Sequence, residues 1–137
     1  MSSIVLDTNC LIAILPSRSP YHSVWNDLLE GRTKLCVSSD ILLEYEEILF
    51  RKTRNQLFVD SVMKSVLNLP GLVRKEPEYR FGIITADPDD NKFVDCAICS
   101  GAMCIVSNDA HFRILKEIDF PRVNLYTLQE YVAEFNH

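Results

Sequence analysis

The sequence predicts an α/β fold: a single three-layer domain in which a central, mostly parallel sheet of four to five strands is flanked by helices. Three observations carry this reading. Short apolar runs rich in β-branched residues alternate with stretches of helical period along the whole chain. No internal repeat, low-complexity tract or linker breaks the alternation. At 137 residues and 47% apolar content the chain is the size of one domain with a substantial core.

Ile4–Leu6 reads as a buried strand ending at Asp7, and Thr8 and Asn9 are residues suited to opening a helix that runs to Leu15. Pro16 and Pro20 bracket a loop. Helical spacing resumes at Tyr21 and continues through Val24, Trp25 and Leu28 to a stop at Gly31. Lys34–Val37 is the second strand. Ser38, Ser39 and Asp40 supply a cap for a helix over Ile41–Lys52. The next helix, Gln56–Leu69, repeats the period through Leu57, Val59, Val62, Val66 and Leu69, and Pro70-Gly71 ends it. Between Leu72 and Asp90 the pattern is weakest, with Ile83–Ile84 as a short candidate strand and Asp87-Pro88-Asp89-Asp90 as a turn leading into a helix. That helix covers Asn91–Gly101, followed by a strand at Met103–Val106 and a short helix at Phe112–Ile118. Val123–Tyr126 is the last strand. Thr127 and Glu130 form a capping box for a final helix.

A net charge of −5 argues against tight electrostatic binding of nucleic acid over the whole surface, though not against an enzyme whose metal ions neutralise its acids locally. The first residues carry no basic segment and no long apolar run, so neither a signal peptide nor a membrane span is expected. The five cysteines are odd in number and lie in apolar segments, as reduced core residues of a cytoplasmic protein do. Cys96 and Cys99 form a lone C-x-x-C inside a helical pattern, which fits helix packing better than zinc.

Four acids stand out: Asp7, Glu44, Asp95 and Asp109. A carboxylate within an apolar run is costly unless it is paired or binds a metal. Asp7 and Asp109 each close a strand, where open parallel sheets build their ligand sites. Either one also fits a plain helix cap. From Phe93 to Met103 Asp95 is the one charged residue, on a helix apolar nearly all round, so it should face the interior or a cleft. Its bland reading is a buried pair with Lys92, three residues away on the same face. Glu44 flanks the stripe of Ile41, Tyr45, Ile48 and Leu49, and a solvated face shared with Glu46 and Glu47 is its alternative. Asp90 is expected to cap the following helix, with a supporting role toward Asp95. Hard oxygen ligands of this kind favour Mg²⁺ or Mn²⁺, in one or two ions. Carboxylate-held ions suit phosphodiester hydrolysis.

At these residues the chain resembles the PIN-domain family, of the kind often described as the toxin of a toxin–antitoxin pair. The matching stretches are IVLDTNCLI, SSDILLEYEEIL, DPDDNKFVDCAICSGAMCIVSND and VNLYTLQEYV, in the family's order and over nearly the whole chain. The first and third are specific; the second helps by its position. The resemblance implies a Rossmann-like, PIN-like sheet with an acidic pocket, acting as a metal-dependent endoribonuclease on single-stranded RNA. It implies Asp7, Glu44, Asp95 and Asp109 as catalytic acids and metal ligands, Asn9 and Ser107 as polar supports, and Asp90 as an additional acid. A protein antitoxin and a homodimer are the implied partners. The last motif reads Ser-Asn-Asp, where Thr-Gly-Asp or Thr-x-Asp is usual, which makes for a stiffer loop.

In the expected mechanism Asp7, Asp95 and Asp109 hold the ion and Glu44 serves as ligand or water-orienting base. Cleavage leaving a 5′-phosphate and a 3′-hydroxyl follows from the resemblance. His22 and His137 read as surface residues, while His111 lies close enough to Asp109 in sequence to touch substrate. Arg51, Lys52 and Arg54 are the densest basic cluster and, with Arg18, the candidates for RNA contact; solvated charges at a helix C-terminus are their alternative. Two other classes stay open: a non-catalytic PIN-fold module that binds RNA or protein, and a phosphotransferase using Asp7 as nucleophile.

Overall fold

The computed structural model of the protein describes residues 2–136. The central strand is β1 (Ser2–Leu6), whose Ile4, Val5 and Leu6 are fully buried, so both its faces are covered. Four more strands complete the sheet: β2 (Thr33–Val37), β3 (Val73–Arg74), β4 (Cys104–Val106) and β5 (Leu125–Tyr126). All pair in parallel, in the order β3-β2-β1-β4-β5. On one side of β1, Ser2 sits opposite Thr33; on the other, Leu6 sits opposite Val106.

Helices α1 (Thr8–Ile14) and α2 (His22–Leu29) link β1 to β2, and α3 (Ser39–Thr53) and α4 (Gln56–Leu67) link β2 to β3. The chain then returns across the sheet through a 3-10 turn at Pro88–Asp90 and α5 (Asn91–Ser100), which packs on β1, β2 and β4. A 3-10 stretch over Ala110–Glu117 joins β4 to β5, and α6 (Leu128–Phe135) follows. Right-handed crossovers that change direction at β1 place the two groups of helices on opposite faces, giving three layers. The direction of winding reverses between β1 and β4. That is where an open parallel sheet leaves a crevice beyond its carboxyl ends.

Local chemistry explains the element ends. The Ser38 side chain accepts the Ile41 N–H at 3.3 Å to start α3, and Thr127 with Glu130 forms the full capping box of α6. Gly101 ends α5 at φ +66°, a left-handed position that glycine adopts without steric cost. Gly71 is required for another reason: a Cβ there would stand 2.9 Å from Lys34 Cγ, blocking the approach of β3 to β2.

Three expectations are corrected. Ile83–Ile84 is not a strand, because the Ile84 N–H and carbonyl are taken by the Asn91 side-chain amide, at 2.8 and 2.9 Å. The edge strand is β3 instead, too short at two residues to show a period. Leu57 does not join the buried face of α4; it is 83% exposed, while Val59, Val62, Met63 and Val66 face the core. The segment after Asp109 is a 3-10 stretch, not an α-helix. The five cysteines are free, and Cys10, Cys36, Cys96 and Cys104 are buried. Among the described residues no helix is long and apolar enough to cross a membrane.

Candidate active site

Asp7 and Ser107 close the two strands on either side of the reversal, and the structure joins them directly. The Ser107 hydroxyl donates to Asp7 Oδ2 at 2.8 Å and accepts the Asp109 N–H at 3.0 Å. Asp7 is only 7% exposed. Burial raises its carboxyl above the ordinary value, opposed by the bonds from Ser107 and the Thr8 backbone, with the charges of Glu44 and Asp109 raising it further. Its side chain makes no cap bond to α1, so the plain capping reading fails for Asp7. It holds for one oxygen of Asp109, whose Oδ1 accepts the His111 N–H at 2.9 Å.

Asp90 completes the group. Its carboxyl is pushed up to about 6 by burial first and then by the charges of Asp87, Asp109 and Asp7. Among the described residues Asp90 Oδ2 is buried without a hydrogen-bond partner. Expected as a helix cap, Asp90 makes no capping bond to α5, while Asp87 caps the preceding 3-10 turn, accepting the Asp89 N–H at 3.3 Å. His111 Nδ1 lies 3.4 Å from Asp109 Oδ1, 3.5 Å from Asp90 Oδ2 and 4.0 Å from Asp87 Oδ2. Asp87, Asp90 and His111 offer ligand atoms within 4.8 Å of one another. An unpartnered carboxylate oxygen among further carboxylates is a donor set that fits a hard divalent cation such as Mg²⁺ or Mn²⁺.

Glu44 reaches the edge of this group from α3. Its Oε1 receives the Lys92 ammonium at 2.9 Å, and its Oε2 the Thr8 hydroxyl. Lys92 is also held by Asp89 at 3.1 Å. Behind Glu44, the buried Tyr45 hydroxyl donates to the Leu6 carbonyl at 2.6 Å, which ties α3 to the end of β1.

Asp95 is where the structure departs from expectation. It is 4% exposed, as its apolar surroundings require, but it faces a neighbouring cleft. Five residues of α5 turn it about 140° away from Asp90. There it accepts the Phe81 N–H at 3.1 Å; burial raises its carboxyl, while that bond and Arg80 lower it. Lys92, its anticipated partner, turns to Glu44 and Asp89 instead. Asp7, Asp90 and Asp109 thus act on one another, while Asp95 lies in the adjoining cleft that Glu44 and Lys92 also line.

The remaining residues distribute plainly. Asn9 is exposed on the first turn of α1. Arg18 is exposed beyond the far end of α1, where its neighbour Ser19 bonds to Ala13, so it does not border the pocket. Arg51, Lys52 and Arg54 lie about 10–15 Å further along α3 than Glu44. Arg51 pairs with Glu47 at 2.6 Å, Arg54 stacks over Phe50 at 5.6 Å, and Lys52 lines an apolar groove with Leu49 and Phe58. Their bland reading is the one the geometry favours. His22 is half-buried, with Nδ1 2.9 Å from the Ile14 carbonyl, not a free surface residue; His137 lies outside the described residues. The sequence reading missed Thr8, Asp87, Asn91 and the true partner of Lys92. The run Asp87-Pro88-Asp89-Asp90 was the available signal for Asp87, since acids so dense rarely serve one cap.

A five-stranded parallel sheet with an acidic group at its reversal is the α/β architecture of a PIN-like domain. The family model described as PIN domain matches residues 3–111, and the chain belongs to that family. Two solved structures share the fold. VapBC2 from Rickettsia felis, bound to a DNA fragment from their promoter, superposes with a TM-score of 0.61 at 20% identity, over 91% of this chain and 98% of the other. DNA-bound VapBC from Salmonella typhimurium gives 0.58 at 18% identity, over 93% and 99%. No curated protein matches the chain.

Proposed function

We propose that this protein is a divalent-metal-dependent endoribonuclease acting on single-stranded RNA in the cytoplasm, and the toxin of a toxin–antitoxin pair. One observation carries the nuclease reading: Ser107 links Asp7 to Asp109, His111 lies beside both Asp109 and Asp90, and one Asp90 oxygen is buried without a hydrogen-bond partner among the described residues. Three like charges in such proximity persist in a fold when a cation neutralises them. Family membership supplies the nuclease class, and the two VapBC neighbours support a paired antitoxin.

Asp7, Asp90 and Asp109 would hold Mg²⁺ or Mn²⁺, with Asp87 and His111 at its rim. A bound ion of this kind lowers the pKa of an attacking water and stabilises the leaving oxygen. The chain's own residues do the rest. Ser107 fixes Asp7 and Asp109 in one geometry, and Glu44 is placed to take the proton from water as it attacks phosphorus. The departing ribose oxygen takes up a proton from solvent, leaving a 3′-hydroxyl and a 5′-phosphate. The whole chain acts as one domain, since β1 and β4 both build the site.

Labelled single-stranded RNA tests this. Cleavage in Mn²⁺ or Mg²⁺, stopped by EDTA and by Asp7→Asn, is the expected result. A protein that binds RNA but never cuts it under any metal would favour the non-catalytic binding module.

A further inference from the structure

Glu44 is the acid whose role the sequence leaves divided between metal ligand and water-orienting base. We infer that Lys92 settles the division: it is a positioning residue that keeps Glu44 out of the ion's ligand set and presents it to water. The inference rests on the metal-nuclease reading above.

Both Glu44 oxygens already have protein partners, Lys92 on Oε1 at 2.9 Å and the Thr8 hydroxyl on Oε2. Lys92 is not free to swing away, because Asp89 Oδ1 holds its ammonium from the other side at 3.1 Å. Both side chains of the Lys92–Glu44 pair are 16% exposed, so water screens the pair only partly. A dication bound directly on Glu44 would sit against that ammonium, and the two positive charges would repel. Asp7, Asp90 and Asp109 carry no such lysine or arginine partner among the described residues, which leaves them the acids open to a cation. Glu44 nonetheless acts on Asp7 through its charge, so it stands beside the ion site rather than within it. An acid so placed can order and deprotonate water without competing for the metal.

The test measures Mn²⁺ affinity by titration calorimetry beside RNA cleavage, on the wild-type chain and four variants. Glu44→Gln is expected to bind Mn²⁺ almost as the wild type does while losing cleavage by about 10–100-fold, the usual scale for an outer partner of a metal site. Asp7→Asn is expected to lose both. Lys92→Met frees Glu44 to join the ligands, so Mn²⁺ binding tightens by about fivefold or more as one opposing charge is removed, while cleavage falls. Lys92→Arg brings the affinity back toward wild type and recovers part of the cleavage. Loss of Mn²⁺ affinity in Glu44→Gln equal to that in Asp7→Asn would overturn the inference, as would unchanged affinity in a folded Lys92→Met. Should Lys92→Met not fold, the Glu44→Gln comparison decides alone. A wild-type protein that binds no Mn²⁺ would instead overturn the underlying reading, and this inference with it.

Discussion

Ser107 Oγ sits 2.8 Å from Asp7 Oδ2, and the same hydroxyl accepts the Asp109 N–H at 3.0 Å. One small side chain thereby orients both strand-end acids. Ser107→Ala leaves a buried carboxylate oxygen and a backbone N–H without their partner, at a cost of about 1–3 kcal/mol. Urea unfolding would measure it, and cleavage should fall along with stability. A variant as stable as the wild type would show that the hydroxyl is not needed to hold the acids.

Metal binding should be visible in the melt. Asp7, Asp90 and Asp109 repel one another in the metal-free protein, and a ligand that binds the folded state alone stabilises it by mass action. Millimolar Mn²⁺ is therefore expected to raise Tm above the value in EDTA, and Asp7→Asn to blunt the response. Identical melts in Mn²⁺ and EDTA would speak against a shared cation site.

The metal-free protein should also respond to pH. The Asp90 carboxyl stands at about 6 against an ordinary 3.8, so between those values the folded chain keeps a proton that the unfolded chain has released. Stability therefore falls as pH rises through that window, and the penalty is complete above it. Asp90→Asn should flatten this slope and raise stability at neutral pH. Denaturation curves in EDTA at several pH values would check it, and a slope that survives in Asp90→Asn would refute it.

Asp90 and Asp95 should separate sharply. Asp90→Asn is expected to cut RNA cleavage by about 100-fold or more, since even an outer partner of a metal site is worth about 10–100-fold. Asp95→Asn, bound to the Phe81 backbone in the adjoining cleft, should leave Mn²⁺ affinity near the wild-type value. Equal loss of Mn²⁺ affinity in the two variants would return Asp95 to the ligand set.

The central strands β1, β2 and β4 could be read from the sequence because they are largely buried on both faces and each is followed by a clear cap or breaker. Ile4–Leu6 before Asp7 and the run Cys104–Val106 before Ser107 are legible for that reason. The segment from Leu72 to Asp90 was not, because its order comes from tertiary contacts such as the Asn91 amide on Ile84 and Asp95 on the Phe81 N–H, which leave no period behind. The acids followed the same division. Asp7 and Asp109 are located by strand ends. Choosing between Asp90 and Asp95 depends on how α5 is rotated against the sheet, which burial alone does not tell. Lys92 lies three residues from Asp95, yet its partner is Glu44, 48 positions away on another helix.

Asp7 and Ser107 meet across 100 positions of chain. During synthesis at about 5–20 residues per second, the first acid emerges on the order of ten seconds before its partner strand. A nascent chain or an N-terminal fragment that stops short of β4 therefore cannot join the two strand-end acids, whatever else of the sheet it has formed.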